Sequence, residues 1–275
     1  MTTTPTQGLI ALQDLFARTQ AQGRAAFMPY WSIGYPTYDD SLQAVEKLAA
    51  LGADAFEIGV PFSDPIADGP IIQATTQKAL ENGVTVAKCL EAVRTLRSRG
   101  LTQPMMLMSY LNPLLAYGPE RFVQAAKEVG ADGLIVPDLP PEEAHLFAPA
   151  CEEAGLALAF FLAPTSRPQR ILDVAQVATG FIYMVAQVGI TGARESLSDE
   201  LPEFITRMHE ATKTPLVLGF GISKPSHVEE IKTEVDGFIV GTALLRAVHS
   251  AADAEAGMAD MEALAKTLIE ALRGV

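Results

Sequence analysis

Short apolar runs alternate with amphipathic segments along the chain. The runs are 25–34 (AAFMPYWSIG), 55–61 (AFEIGVP), 104–110 (PMMLMSY) and 133–138 (GLIVPD), followed by 156–163 (LALAFFLA), 180–186 (GFIYMVA), 215–221 (PLVLGFG) and 237–245 (GFIVGTALL). They are continuous rather than alternating, the pattern of parallel strands covered on both faces. Between them, stretches such as SLQAVEKLAALGA and PERFVQAAKEVGA repeat apolar residues at helical spacing. Several end in Gly-Ala, a helix-stop signal. The segment 7–22 predicts an extra helix before the first strand. Eight strand–helix units in 275 residues predict a (β/α)₈ TIM barrel, one domain spanning 1–275. The rival is an open doubly wound sheet, but no Gly-rich dinucleotide fingerprint follows the first strand.

Composition narrows the partners. The chain is 49% hydrophobic, enough for a sizeable core, and carries a net charge of −13, which argues against nucleic acid or an anionic membrane. The charge is scattered and reads as a solvated surface. The two cysteines, Cys89 and Cys151, lie far apart in helix-like segments and suggest a reducing compartment. No basic stretch followed by a long apolar run opens the chain, and no apolar run is long enough for a membrane span. The expectation is a cytoplasmic protein.

In a barrel the active site lies at the carboxyl ends of the strands. That gives meaning to FEIGVPFSDPIADGP, residues 56–70, where a strand carrying a carboxylate breaks at Pro61 into a proline- and aspartate-rich loop. Side chains alternate along a strand. With Phe56, Ile58 and Val60 toward the helices, Ala55, Glu57 and Gly59 face the interior. Glu57 then stands near the mouth, where desolvation would raise its pKa and suit it to proton transfer near neutral pH. A structural acid would need a basic partner, and none of the eight runs contains Arg or Lys. Asp68 precedes Gly69 in the following loop. Its spacing fits equally a turn aspartate and a second acid over the same mouth. Glycines at the seventh and eighth strand ends, Gly221 and Gly241, suit a phosphate site of backbone amides. GITG, residues 189–192, could add a contact and a lid.

Other chemistries lack their residues. No strand lysine is placed to form a Schiff base. The four histidines, His145, His209, His227 and His249, sit in helical or flanking segments rather than in a ligand cluster. Carbon–carbon cleavage with carboxylates, a phosphate site, no metal and no covalent lysine requires a substrate that holds the electrons itself. A protonated aromatic heterocycle does so.

The stretch FEIGVPFSDPIADGPIIQ closely resembles the signature of the tryptophan synthase alpha subunit. The resemblance extends through MSYLNPLLAYGPERF, ADGLIVPDLPPEEA, FLAPTS, GITGAR, PLVLGFGIS and DGFIVGTALL, nearly the whole chain. It implies a TIM barrel that cleaves indole-3-glycerol phosphate to indole and glyceraldehyde 3-phosphate. It also implies an α₂β₂ complex with a beta subunit that carries pyridoxal phosphate, this chain using no cofactor of its own. Carried over by position, Glu57 would protonate indole C3 and Asp68 would accept the indole N–H. Tyr183 matches a tyrosine close to the acid, and Tyr110 and Ile72 match the indole pocket wall. Gly192, Gly221, Gly241 and Thr242 match phosphate-binding positions. Thr191 matches the lid threonine that engages the loop aspartate. The chain departs from the pattern at AQVG, 186–189, where Val188 stands in place of a common small hydroxyl. The loop holding Asp64 and Pro65 faces the beta subunit in that family. Pro61 and Pro65 stiffen it, so a protein bound there would reposition Asp68 at little ordering cost.

Three other readings compete with a lyase subunit: a stand-alone indole-releasing lyase, a retaining glycosidase and a pseudo-subunit that only activates a partner. Two barrel carboxylates suggest the glycosidase. A single tryptophan and no carboxylate in the seventh run count against it. An intact Glu57 and Asp68 count against the pseudo-subunit.

Overall fold

The computed structural model describes residues 7–185, 200–219 and 221–274. Eight strands form a closed barrel: β1 Ala26–Ser32, β2 Phe56–Gly59, β3 Met105–Met108, β4 Gly133–Ile135, β5 Ala157–Leu162, β6 Ile182–Val185, β7 Leu216–Gly219 and β8 Gly237–Val240. They close in sequence order, and every neighbouring pair is parallel. Helices follow each strand and cover the outer face of the barrel, while side chains of the strands fill the inner face.

The strands are shorter than the apolar runs that predict them, and the difference matters for the site. The run 133–138 keeps only Gly133–Ile135 in the ladder, and Pro137 beyond it offers no N–H to a neighbour. The run 237–245 splits into β8 and a helix, Thr242–His249. The last residues of these runs therefore leave the sheet and build the rim of the barrel mouth.

The extra N-terminal helix is present as Leu9–Ala21. It is tied to the far end of the barrel, away from the mouth. Gly8 N–H donates to the Asp132 carboxylate at 2.7 Å, and Leu9 N–H donates to the Gly155 carbonyl at 2.8 Å. Asp132 is fully buried and also accepts from Met105 N–H and from the Arg97 guanidinium. A buried carboxylate is tolerated here because several donors share its charge. The Gly-Ala stops work as the spacing predicts. Gly52 and Gly130 end the helices Tyr38–Leu51 and Pro119–Val129 with φ of 108° and 88°.

Inside the barrel, small and large side chains interlock. A Cβ added to Gly133 would lie 2.7 Å from the Met106 methyl and 2.7 Å from the Ala157 Cβ. Register places Glu57 level with Tyr30 on one side and Met106 on the other.

Candidate active site

A cleft opens at the carboxyl ends of the strands. Glu57, Asp68, Ile72, Tyr183, Gly221, Gly241 and Thr242 all line it, so residues spread over nearly two hundred positions of sequence meet at one mouth. The alternation expected in β2 is present. Gly59 faces the interior, because a Cβ there would stand 2.4 Å from the Tyr30 hydroxyl, and Tyr30 itself lines the cleft.

The two acids are nearly sealed from water, Glu57 at 3% and Asp68 at 5% exposure. No lysine or arginine lines the cleft among the described residues. Burial therefore dominates their titration. It pushes Glu57 up to about 8, helped by repulsion from Asp68 and opposed by a hydrogen bond with Tyr183. It pushes Asp68 up to about 6, opposed by a hydrogen bond with Tyr110. At neutral pH the glutamate thus keeps its proton while the aspartate is ionised. Two neighbouring carboxylates held in opposite protonation states form an acid–anion pair.

Each acid is held by one tyrosine. The Tyr183 ring stacks on Phe161 at 4.3 Å between centroids and 20° between planes. It also occupies the space a side chain at Gly219 would need, since a Cβ there would fall 2.2 Å from the Tyr183 hydroxyl. Tyr110 is 2% exposed and does not line the cleft; it stands behind Asp68.

Gly241 caps the helix Thr242–His249 at the cleft, beside Gly221 and Ser223. Free amides at such a helix start suit an anion. Gly241 has a second reason to lack a side chain: a Cβ would lie 3.0 Å from the Tyr30 ring. Thr191 and Gly192, together with Gln187 and Val188, lie outside the described residues.

On the outer side of the same loop Asp64 is exposed and Pro65 half-buried. Next to them Ile66 is 82% exposed, an apolar side chain that sequence reading passed over. Sequence reading also missed Tyr30, Met108, Phe161 and Ile239 as lining residues. The signal for Tyr30 was available: an interior glycine at 59 implies a large neighbour across the strand pair. The four histidines stay off the cleft, as placed from sequence.

A closed barrel with two buried carboxyls on one cleft and glycines at its last strand ends has the site expected of an acid–base enzyme. The family model for the tryptophan synthase alpha chain matches residues 16–273. Curated alpha chains from Roseiflexus sp. (strain RS-1) and Chloroflexus aggregans are 48% and 47% identical to this chain. Each alignment covers 89% of this chain, and 94% and 91% of the relative. A Mycobacterium tuberculosis tryptophan synthase structure superimposes with a TM-score of 0.88 at 35% identity, covering 95% of this chain and 98% of that one. An alpha chain from Legionella pneumophila gives a TM-score of 0.86 at 30% identity, covering 96% and 98%. The chain belongs to the tryptophan synthase alpha chain family. It is a carbon–carbon lyase of tryptophan biosynthesis that cleaves indole-3-glycerol phosphate, and its family works with a beta subunit. The glycosidase reading is thereby set aside.

Proposed function

We propose that Glu57 and Asp68 divide the cleavage of indole-3-glycerol phosphate between them. Protonated Glu57 donates to indole C3, and the C2=C3 electron pair takes the proton. The nitrogen lone pair then forms the iminium, and ionised Asp68 accepts the N1–H bond that carries the growing positive charge. Glu57, now a carboxylate, takes the proton of the side-chain hydroxyl next to C3. The C3–C bond breaks, its electrons restore the aromatic ring, and indole and glyceraldehyde 3-phosphate result. The proton ends on Glu57, ready for another turn. The observation that carries this reading is the burial of both carboxyls on one cleft that no described lysine or arginine lines, which raises both and Glu57 further than Asp68.

Ile72 packs against the indole ring, with Tyr110 behind it, and Tyr183 orients Glu57. The amides of Gly221, Gly241 and Thr242 take the phosphate end; by the family resemblance Gly192 adds to them, and Thr191 engages the loop aspartate. No basic side chain lines the cleft among the described residues, so backbone amides and the helix start supply positive potential there. The ring itself holds the electrons, so the chain needs no cofactor; pyridoxal phosphate belongs to the beta subunit. The single domain, the cytoplasm and an α₂β₂ assembly, met through the Asp64–Pro65 loop, complete the reading. The test is indole release from indole-3-glycerol phosphate, with and without a beta subunit. Slow release alone and faster release with the partner is expected. No indole under either condition overturns it.

A further inference from the structure

Asp68 does its work from the end of a loop, residues 60–69, and something must fix it against Glu57. The loop has few internal bonds. Asp68 N–H donates to the Pro65 carbonyl at 3.1 Å, and the Gln73 side-chain amide donates to the Asp68 carbonyl at 2.8 Å. Neither reaches the carboxylate. Tyr110, at the end of the run that contains β3, reaches both backbone and side chain. Its hydroxyl accepts from Ala67 N–H at 3.0 Å, one residue before Asp68, and lies close enough to the Asp68 carboxyl to draw its titration down. Its ring also packs on Phe62 from the start of the loop, 5.6 Å between centroids. One side chain thus grips the loop at both ends.

We propose that Tyr110 is a positioning residue: its hydroxyl, set between the Ala67 amide and the Asp68 carboxylate, aims Asp68 into the cleft and holds it there as an anion. This rests on the role given to Asp68 above.

Proton counting supports a fixed direction. A phenol hydroxyl has one proton and two lone pairs. With a lone pair taken by Ala67 N–H, its proton is free for Asp68. An ionised carboxylate can only accept, so the chain runs from Ala67 N–H through the Tyr110 hydroxyl to Asp68, each bond polarising the next. Burial holds the Tyr110 phenol far above its ordinary pKa, so it remains a donor at working pH. Among the described residues, no other group facing Asp68 lowers its titration, and Tyr183 bonds Glu57 instead. Glu57 from β2 repels the anion, Tyr30 from β1 and Tyr183 from β6 are neutral phenols, and Asp138 beyond β4 faces Tyr110 as a further acid. No cation lines the cleft among the described residues.

Tyr110→Phe keeps the ring against Phe62 and deletes the hydroxyl. Turnover is expected to fall roughly 10- to 100-fold, the worth of a hydrogen bond to a charged group. Glyceraldehyde 3-phosphate should bind as tightly as to wild type. The ¹³C-NMR titration of Asp68 in ligand-free protein should move to higher pH, because a contact that stabilises the anion is gone. That titration does not depend on the lyase reaction, so it separates failure of this proposal from failure of the assigned roles. If the phenylalanine variant does not fold, 3-fluorotyrosine at position 110 is a better donor in the same shape and should move the titration to lower pH. An Asp68 titration and turnover unchanged in Tyr110→Phe, or a titration unmoved by fluorotyrosine, overturn the proposal.

Discussion

Glu57 and Asp68 are the same chemistry on two kinds of support. Glu57 sits within a strand, flanked in register by Tyr30 and Met106, and the ladder continues past it through Val60 N–H to the Met108 carbonyl at 2.8 Å. It cannot move without breaking the barrel. Asp68 ends a loop between that strand and the helix Pro70–Glu81, with exposed Asp64 and Ile66 on its outer side. It is buried almost as deeply, yet its place depends on side-chain contacts that a partner or ligand can alter. The proposed proton donor is part of the barrel ladder, and the proposed charge-stabilising group stands on a loop outside it.

The largest effect should come from the rigid arm. Glu57→Gln is expected to cut indole release by about 10²–10⁴, with glyceraldehyde 3-phosphate affinity unchanged by calorimetry. The same change should stabilise the fold at higher pH. Glu57 titrates at about 8 in the folded protein against an ordinary 4.5, so the folded state keeps a proton that the unfolded chain loses. Stability is therefore lost as pH rises through that window, and glutamine removes the loss. A gain of about 1–3 kcal/mol at pH 8, vanishing near pH 4.5, is expected from thermal melts. Wild-type turnover in this variant would move the proton donor elsewhere.

Gly219→Ala tests the support behind the same acid. Its methyl would collide with Tyr183, which Phe161 prevents from tilting freely. A fall in turnover of about 10- to 100-fold is expected from loss of the Tyr183 contact to Glu57. Full activity with a displaced Tyr183 would show that Glu57 needs no such partner.

The pH profile compares the arms directly. Asp68 must be ionised and Glu57 protonated, so kcat/KM should peak between about 6 and about 8. It should drop about tenfold per pH unit beyond each limb. In Asp68→Asn the acid limb should vanish and the alkaline limb should shift to lower pH, since a like charge next to Glu57 has gone. An acid limb that persists in this variant belongs to another group.

The smallest effect is expected from the outer end of the loop. Pro65→Gly frees the backbone without touching the acids. Basal indole release should stay within about twofold, and the stimulation by a beta subunit should fall several-fold. An unchanged ratio of stimulated to basal rate would show that the adjustable arm is not moved from this loop.

Much of this was legible in the chain before folding was considered. Continuous apolar runs between amphipathic segments determine the barrel, because a parallel strand is buried on both faces and a covering helix on one. Two-residue alternation put Glu57 inside, and the lack of any basic residue in the runs left it without a charge partner. Glycines at 221 and 241 marked close backbone approach. What remained ambiguous in the sequence was everything that depends on which strand lies beside which. Asp68 reads equally as a turn residue until the closed barrel sets its loop over Glu57. Tyr110 matches a pocket wall by resemblance, and only the fold shows its hydroxyl bonded to Ala67 N–H in the loop that carries Asp68. Gly241 reads as a phosphate glycine, and only the β1–β8 pairing adds a second reason for it, the Tyr30 ring against the same atom. Periodicity is a local property of the backbone and side-chain direction. A shifted pKa, a stacked ring or a shared hydroxyl is a property of neighbours, and only closure of the barrel chooses those neighbours.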